Sequence, residues 1–368
     1  MKKLLIAFFS LFALCGLVAC GNKEEEKTPA EEGNTPAQEA TYKLGMGISV
    51  GTNESKDGEL AQIDATVAAV VLDANGKIVA CRLDAVQNKI TVDGDGNVEV
   101  PTSFKTKMEK GDEYGMAAAL NYGMDWNGDG KVLEWYDQAK AFEAHVVGMT
   151  ATEVANMATK EVPGKGYIIS ADEALLAAGC TIQITEFKNA VVKACNDEQG
   201  VQFTTAEAFT LGVAATSYDD GSASYTTEAG AVKVYSDFAA SVVINGKIAA
   251  SLNDAIQPSF AVEFDGSLEA TFKGTKRELK EEYGMAPAIN YGMDWNGDGK
   301  VLEWYLQSLE FSKFVVGMTK DEVLAMATQV VPGKGYVISA DEALLAAGCT
   351  IQITSIKEVV AKSVTNAR

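Results

Sequence analysis

The chain has 368 residues, with 51 acidic side chains against 31 basic ones, one histidine, six cysteines and a formal charge of −20. So acidic a surface repels nucleic acid and anionic lipid, which excludes functions built on polyanion binding. The single histidine, His145, has Phe314 as its counterpart in an internal repeat, so no duplicated Ser-His-Asp set or histidine metal site exists.

From the N-terminus, Lys2 and Lys3 precede an apolar run from Leu4 to Ala19. About 16 apolar residues fall short of the roughly 20 that a spanning helix needs, which fits a cleaved signal peptide over residues 1–19. Leu17-Val18-Ala19-Cys20 resembles a lipobox, making Cys20 the expected lipidation site and first residue of the mature chain. Its removal takes away two lysines and no acid, so the charge of −20 becomes −22. Residues 20–41 are rich in Glu, Pro, Asn and Thr, with no large apolar residue from Gly21 to Thr41, and read as an acidic tether on the extracytoplasmic face of the cell membrane.

Two copies of one unit follow, expected as tandem domains at 42–195 and 202–364, joined by Asn196-Asp197-Glu198-Gln199-Gly200. Tyr42-Lys43-Leu44-Gly45 opens the first and Phe209-Thr210-Leu211-Gly212 the second. Ala65–Leu72 and Lys77–Leu83 are predicted strands around the turn Asp73-Ala74-Asn75-Gly76, with a counterpart at Ile244-Asn245-Gly246-Lys247-Ile248. A second hairpin is expected over Lys89–Val100, turning at Asp93-Gly94-Asp95-Gly96. Helices dominate afterwards: Val132–Val146 by periodicity, then a short helix opened by the capping box Thr150-Ala151-Thr152-Glu153, repeated as Thr319-Lys320-Asp321-Glu322. Ser170-Ala171-Asp172-Glu173 reads as another box, starting a helix that Gly179 ends, and Thr185–Lys193 as the last helix. Strands first and helices after give an α+β fold.

Two motifs are duplicated closely enough to carry chemistry. Asp125, Asn127 and Asp129, followed by Gly130, resemble the start of a calcium loop and recur as Asp294, Asn296 and Asp298. Position twelve is Tyr136 or Tyr305 rather than a bidentate Glu, with Glu134 and Glu303 at the wrong offset, so an Asx-rich turn is favoured over a bound calcium. The second motif is Ala178-Gly179-Cys180-Thr181-Ile182, returning as Ala347-Gly348-Cys349-Thr350-Ile351 inside a 24-residue segment whose copies differ only at Ile168 and Val337. Gly179 and Gly348 allow close backbone approach, Thr181 and Thr350 supply hydroxyls, and the helix that follows offers free N–H groups to an anion. A phosphate joined to the threonine and an ordinary helix cap are both open on this pattern.

Ala-Gly-Cys-Thr-Ile before a helix is similar to the Ser-Gly-Ala-Thr segment of the FMN-binding domains in the Rnf complex and the sodium-pumping quinone reductase. With the lipobox, the acidic tether and two copies, the mature chain resembles the flavinylated lipoproteins of extracellular electron transfer. The resemblance implies covalent FMN on Thr181 and Thr350, with Gly179, Gly348, Cys180 and Cys349 in the flavin-binding segments and a separate FAD:protein FMN transferase as partner. It implies a redox carrier rather than an enzyme, passing electrons from a membrane NADH dehydrogenase or quinol to free flavins or ferric iron. Ala178 and Ala347 stand where the family has Ser or Thr, and Cys180 and Cys349 where it has Ala. Tyr114-Gly115-Met116 and Asn121-Tyr122-Gly123-Met124, repeated at Tyr283-Gly284-Met285 and Asn290-Tyr291-Gly292-Met293, are candidate walls for the ring. The reading from another class is a calcium-stabilised surface lipoprotein that binds a ligand or partner, with a pheromone-type signal peptide as a further possibility. Cys81 and Cys195 lack counterparts and read as isolated buried thiols, and the absence of Cys-x-x-Cys-His, Walker A and Rossmann patterns argues against c-type haem and nucleotide hydrolysis.

Overall fold

The first repeat opens with three long strands, β1 (Ala40–Gly51), β2 (Leu60–Leu72) and β3 (Ile78–Val92), and a short β4 (Val98–Glu99). Next come α1 (Lys107–Lys110), α2 (Trp135–His145), α3 (Ala151–Ala155), the small hairpin β5 (Thr159–Glu161) and β6 (Ile168–Ser170), α4 (Glu173–Ala177) and α5 (Thr185–Cys195). After β7 (Val201–Thr205), the second repeat runs β8 (Thr210–Asp219), β9 (Gly230–Ile244), β10 (Lys247–Ile256), β11 (Ser259–Val262) and β12 (Leu268–Thr271). It closes with α6 (Lys276–Leu279), α7 (Trp304–Phe314), α8 (Lys320–Leu324), β13 (Thr328–Val330), β14 (Val337–Ser339), α9 (Glu342–Ala346) and α10 (Thr354–Thr365). This computed structural model describes residues 39–117, 125, 130, 132–164, 166–286, 294, 301–333 and 335–368. The lipobox with Cys20, most of the tether, Asn121–Met124, Asn127, Asp129 and their counterparts in the second repeat lie outside the described residues.

The fold is α+β, with antiparallel sheets. One sheet has the order β4-β3-β2-β1-β7, and the other is built on β9, with β8 on one side and β10 then β11 on the other. Runs such as Ala65–Leu72 are apolar on both faces because both faces are covered. Ala61, Ile63, Ala65, Val67, Ala69 and Val71 point into a core shared with Leu211, Val213, Phe238, Ala240, Leu252 and Phe260 of the other repeat. Ala68, Val70 and Leu72 point the other way, onto Trp135, Phe142, Phe187 and Val191 of the first helices. The second repeat does the same with Ala214, Ala239 and Ala255 under Trp304, Phe311, Val359 and Val360. Two sheets thus meet face to face, with a helical layer outside each.

Gly45 and Gly212 hold the outer helices in place. A Cβ on Gly45 would lie 2.0 Å from the Ala194 carbonyl oxygen, and one on Gly212 would lie 1.9 Å from that of Ser363. No side chain fits, so β1 lies directly under α5 and β8 under α10.

The turns follow local chemistry. Asn245 and Gly246, at φ 51° and 77°, form the two-residue loop between β9 and β10, as an Asn-Gly pair requires. The first hairpin is longer than its predicted strands, since β3 continues unbroken to Val92 and the Lys89–Val100 hairpin is its far end paired with β4. In the second repeat Pro258 stands where β3 has Asn88, and the strand breaks there into β10 and β11. The boxes at Thr150 and Thr319 form with both reciprocal hydrogen bonds. The one at Ser170 does not: Asp172 caps α4 by accepting from Leu175 N at 2.9 Å, while Ser170 Oγ accepts from Asp172 N in a turn before the helix. Asp172 sits nearer the first free N–H groups and wins the position.

Several polar contacts tie the repeats together, among them three sets that are buried or partly buried. In the joint, Asp197 accepts two hydrogen bonds of 3.0 Å from Arg277 Nη2 and one of 3.1 Å from Met46 N. Buried Asn88 donates to Ser217 Oγ at 3.1 Å. Glu143, 3% exposed on α2, accepts from Arg368 Nη2 at 2.7 and 2.9 Å and from Leu83 N at 2.8 Å, with Arg82 3.6 Å away.

Candidate functional site

The duplicated threonines sit where a short helix ends. Gly179 takes φ 93°, its N–H donates to the Leu176 carbonyl at 2.9 Å, and Cys180 N–H donates to that of Leu175 at 3.2 Å. This is a Schellman turn with glycine at C′, and Gly348 repeats it at φ 93°. A Cβ on either glycine would meet Leu133 or Leu302, at 2.3 and 2.6 Å. Cys180 and Cys349 turn inward, are fully buried in the helix-side cores, and have their thiols pushed up to about 12 by burial.

A glutamine that sequence reasoning missed holds each threonine. Gln138 Oε1 accepts from Thr181 N at 2.8 Å, Ile182 N at 3.0 Å and the Thr181 hydroxyl at 3.4 Å. Its amide donates to the Leu133 carbonyl at 2.7 Å and to Met116 Sδ at 3.2 Å. Gln307 repeats the clasp, with Thr350 N at 2.7 Å, its hydroxyl at 3.2 Å, the Leu302 carbonyl at 2.7 Å and Met285 Sδ at 3.3 Å. Both glutamines are fully buried on the inward face of their helices. A buried glutamine repeated at one helical position was the available signal.

Glu134 and Glu303, candidates only by proximity to the calcium-like loop, do other work. Glu134 accepts from Met116 N and Ala117 N at 2.9 Å, and Glu303 from Met285 N at 2.9 Å and Ala286 N at 3.1 Å. They pin the segment carrying the cavity methionine. Tyr136 and Tyr305, at position twelve, donate instead to Asp112 at 3.0 Å and Glu281 at 2.9 Å. Asp125 accepts from Gly130 N at 2.8 Å, a turn-closing contact. Among the described residues, no group of three or more His, Cys, Asp or Glu is placed to hold a metal ion.

Beside each threonine motif lies a cavity. In the second repeat about 640 Å³ is enclosed by Tyr218, Tyr235, Lys276, Tyr283, Met285, Trp304, Tyr336, Thr350 and the start of α10. In the first repeat Met116, Trp135, Tyr167, Ile182, Gln183 and Lys107 line a pocket of about 190 Å³. A groove of about 530 Å³ lined by Lys107, Trp135, Tyr167, Gln183 and Thr185 adjoins it. Of the expected walls, Met116, Tyr283 and Met285 line cavities, whereas Tyr114 packs against Lys107, its ring 5.0 Å from Nζ. Thr350 is 5% exposed and Thr181 3%. Neither α5 nor α10 has a side-chain cap, since Ile184 and Ile353 occupy the cap positions and leave first-turn N–H groups for another partner.

Buried aspartates position the lysines. Asp84 accepts from Ala85 N at 2.7 Å and Met108 N at 3.2 Å, and Asp254 from Ala255 N at 2.8 Å and Arg277 N at 3.0 Å. Each thereby fixes the first turn of the helix bearing Lys107 or Lys276. Burial pushes both carboxyls up to about 6 despite these donors.

No family model matches the chain, and no curated protein matches it. Among solved structures, one protein of YmcC-like fold from Bacteroides fragilis aligns at 9% identity over 66% of this chain and 97% of its own. Its TM-score of 0.12 carries no fold assignment.

Proposed function

We propose that the chain is a lipid-anchored, extracytoplasmic electron carrier holding one FMN as a phosphoester on each of Thr181 and Thr350. The observation that carries this reading is a duplicated assembly. In each repeat a threonine held by a buried glutamine precedes the uncapped start of a helix beside an aromatic and methionine-lined cavity, which Thr350 itself lines in the second repeat and its neighbour Ile182 lines in the first. About 640 Å³ lies within the range of pockets that bury a ligand of flavin size. The ring would lie against Trp304, Tyr283 and Met285, and first-turn N–H groups of α10 would take the phosphate.

When bound, the flavin supplies the redox chemistry. The chain's own groups hold and shield it. Gln307 keeps Thr350 fixed through the backbone N–H whether or not the hydroxyl is esterified. Attachment forms one P–O bond to threonine Oγ and breaks the pyrophosphate of FAD. AMP leaves, and the hydroxyl gives up its proton. At 3% and 5% exposure the threonines are reached by a transferase only when the motif opens, so labelling precedes closure or accompanies local unfolding. Cys20 would anchor the carrier near a membrane dehydrogenase or quinol, and free flavins or ferric iron would accept the electrons. Among the described residues no helix is long and apolar enough to cross a membrane.

The test is in-gel flavin fluorescence after denaturation, on protein made with and without an FAD:protein FMN transferase. Fluorescence is expected only with the transferase, halved in Thr181→Ala or Thr350→Ala and lost in the double variant. Unmodified Thr181 and Thr350 peptides in protein made with an active transferase would overturn the reading.

A further inference from the structure

The two cavities share their helix-side parts and differ in their floors. Lys276, Met285, Trp304, Tyr336 and Gln352 have Lys107, Met116, Trp135, Tyr167 and Gln183 as counterparts 169 positions earlier. The strands beneath them diverge. Asp84 pairs with Val67 and Asp254 with Phe238, so Tyr235 and Asp237 occupy the places that Asp64 and Thr66 hold in the first repeat. The first cavity is edged by Glu54, Asp64, Glu186 and Lys89, none of them buried, and its Lys107 is half-buried.

In the second cavity the lysine is 5% exposed. Lys276 Nζ donates to Tyr235 Oη at 2.8 Å and lies 4.4, 4.7 and 5.1 Å from the ring centres of Tyr235, Tyr283 and Trp304. No acidic oxygen among the described residues comes within 4.0 Å of it. Asp237, 1% exposed under the floor, has one carboxylate oxygen without a partner. Burial pushes the Asp237 carboxyl up and the Lys276 ammonium down, and each charge opposes the other's shift. A buried ammonium without a carboxylate at contact distance is costly, and a negatively charged ring in the cavity would offset that cost. The acids on this rim, Asp220 and Glu358, are exposed and screened by water.

We propose that the second cavity is built to stabilise a planar aromatic ring carrying negative charge, and that the first is not. The inference rests on the flavin reading above and adds a difference between the two sites. Uptake of two electrons and one proton adds one negative charge to an isoalloxazine, and a nearby buried ammonium lowers the free energy of that form. The flavin on Thr350 therefore has the higher midpoint potential and the flavin on Thr181 the lower. Electrons entering at the first repeat settle on the second.

The experiment is a spectroelectrochemical titration of flavin absorbance on full-length protein made with the transferase, with flavin content measured beforehand by in-gel fluorescence. Thr181→Ala, which keeps only the second flavin, is expected at a higher potential than Thr350→Ala. In the Thr181→Ala background, Lys276→Met is expected to shift the potential negative, Lys276→Arg to restore most of it, and Asp237→Asn to shift it positive. Far-UV circular dichroism and a thermal melt check that each variant is folded. Flavin present with equal potentials in the two single-site proteins overturns this inference alone, as does a folded Lys276→Met protein with an unmoved potential. No denaturation-resistant flavin in the unsubstituted protein overturns the carrier reading and this inference with it.

Discussion

The front and back of each repeat have been treated differently. Residues 162–185 and 331–354 are nearly identical, while strands and helix faces meeting the other repeat have diverged. Arg82 and Asn88 on β3 correspond to Leu252 and Pro258, and Glu143 on α2 to Ser312 on α7. The reason lies in what each part touches. Strands that share one core must be complementary, and two identical faces pressed together seldom are. The 162–185 segment meets its own helices and its own cavity, so its two copies face the same surroundings twice.

The charged cluster of the first repeat against its neutral counterpart gives the largest expected difference. Glu143 is buried and engages Arg82, Arg368 and Leu83 N, whereas Ser312 Oγ makes one hydrogen bond of 2.8 Å to Asn253 Oδ1. Glu143→Ala leaves the half-buried Arg82 and the exposed Arg368 without their carboxylate and Leu83 N without its acceptor, and is expected to cost about 2–3 kcal/mol. Ser312→Ala is expected to cost about 1 kcal/mol. Urea unfolding of both variants makes the comparison, and equal costs would mean that Glu143 is not the stronger tie between the repeats.

What the sequence made legible was local. The Gly179 C′, the boxes at Thr150 and Thr319 and the turn at Asn245-Gly246 each depend on residues within a few positions of one another, and each formed. The Ser170 box failed because two capping residues lay within one turn and sequence alone does not rank them. The clasp by Gln138 spans 43 residues to Thr181, and the Glu143–Arg368 contact spans 225. Contacts at that separation are fixed by sheet register and helix placement, which no short window contains. The shared core belongs to the same class. Each strand's two-sided apolar pattern called for two covers, and which element covers which face came only from the structure.

The buried carboxyls extend the comparison to a pair that has not diverged. Asp84 and Asp254 have folded values of about 6, above the ordinary 3.8, because both are buried. Between those values the folded chain binds more protons than the unfolded one, so stability falls as pH rises from about 4 to 6 and is then level. The exposed acids held low by turn and cap hydrogen bonds, such as Asp73 and Glu153, act in the opposite direction, from ordinary values of 3.8 and 4.5 downward and so mostly below pH 5. The urea midpoint is therefore expected to be higher at pH 5 than at pH 7. Asp84→Asn with Asp254→Asn should reduce the difference, with Asp237 supplying what remains, while each asparagine keeps an acceptor for its two backbone N–H donors. Each single variant should remove a similar share, about 1–3 kcal/mol. A pH slope unchanged in the double variant would assign the effect to the general excess of acidic charge instead.

The smallest expected effect tests whether the duplicated parts are energetically duplicated. In each copy the threonine N–H donates to the third-residue glutamate at 2.7 Å, the hydroxyl donates to it at 2.9 Å, and the glutamate N–H returns a bond of 3.3 Å to the hydroxyl. Removing a Ser or Thr cap costs about 1 kcal/mol when the helix start is otherwise unassisted. Both helices are five residues long and bury a single valine, Val154 or Val323. They differ in their first turns, where Lys320 and Asp321 replace Ala151 and Thr152, but share the same cap geometry. Thr150→Ala and Thr319→Ala are therefore expected to lower stability by the same amount within a few tenths of a kcal/mol, and to add in the double variant because the boxes share no partner. Unequal costs in urea unfolding would show that the diverged strands beneath α3 and α8 reach into the helical layer, and that the back of the repeat is a copy in geometry alone.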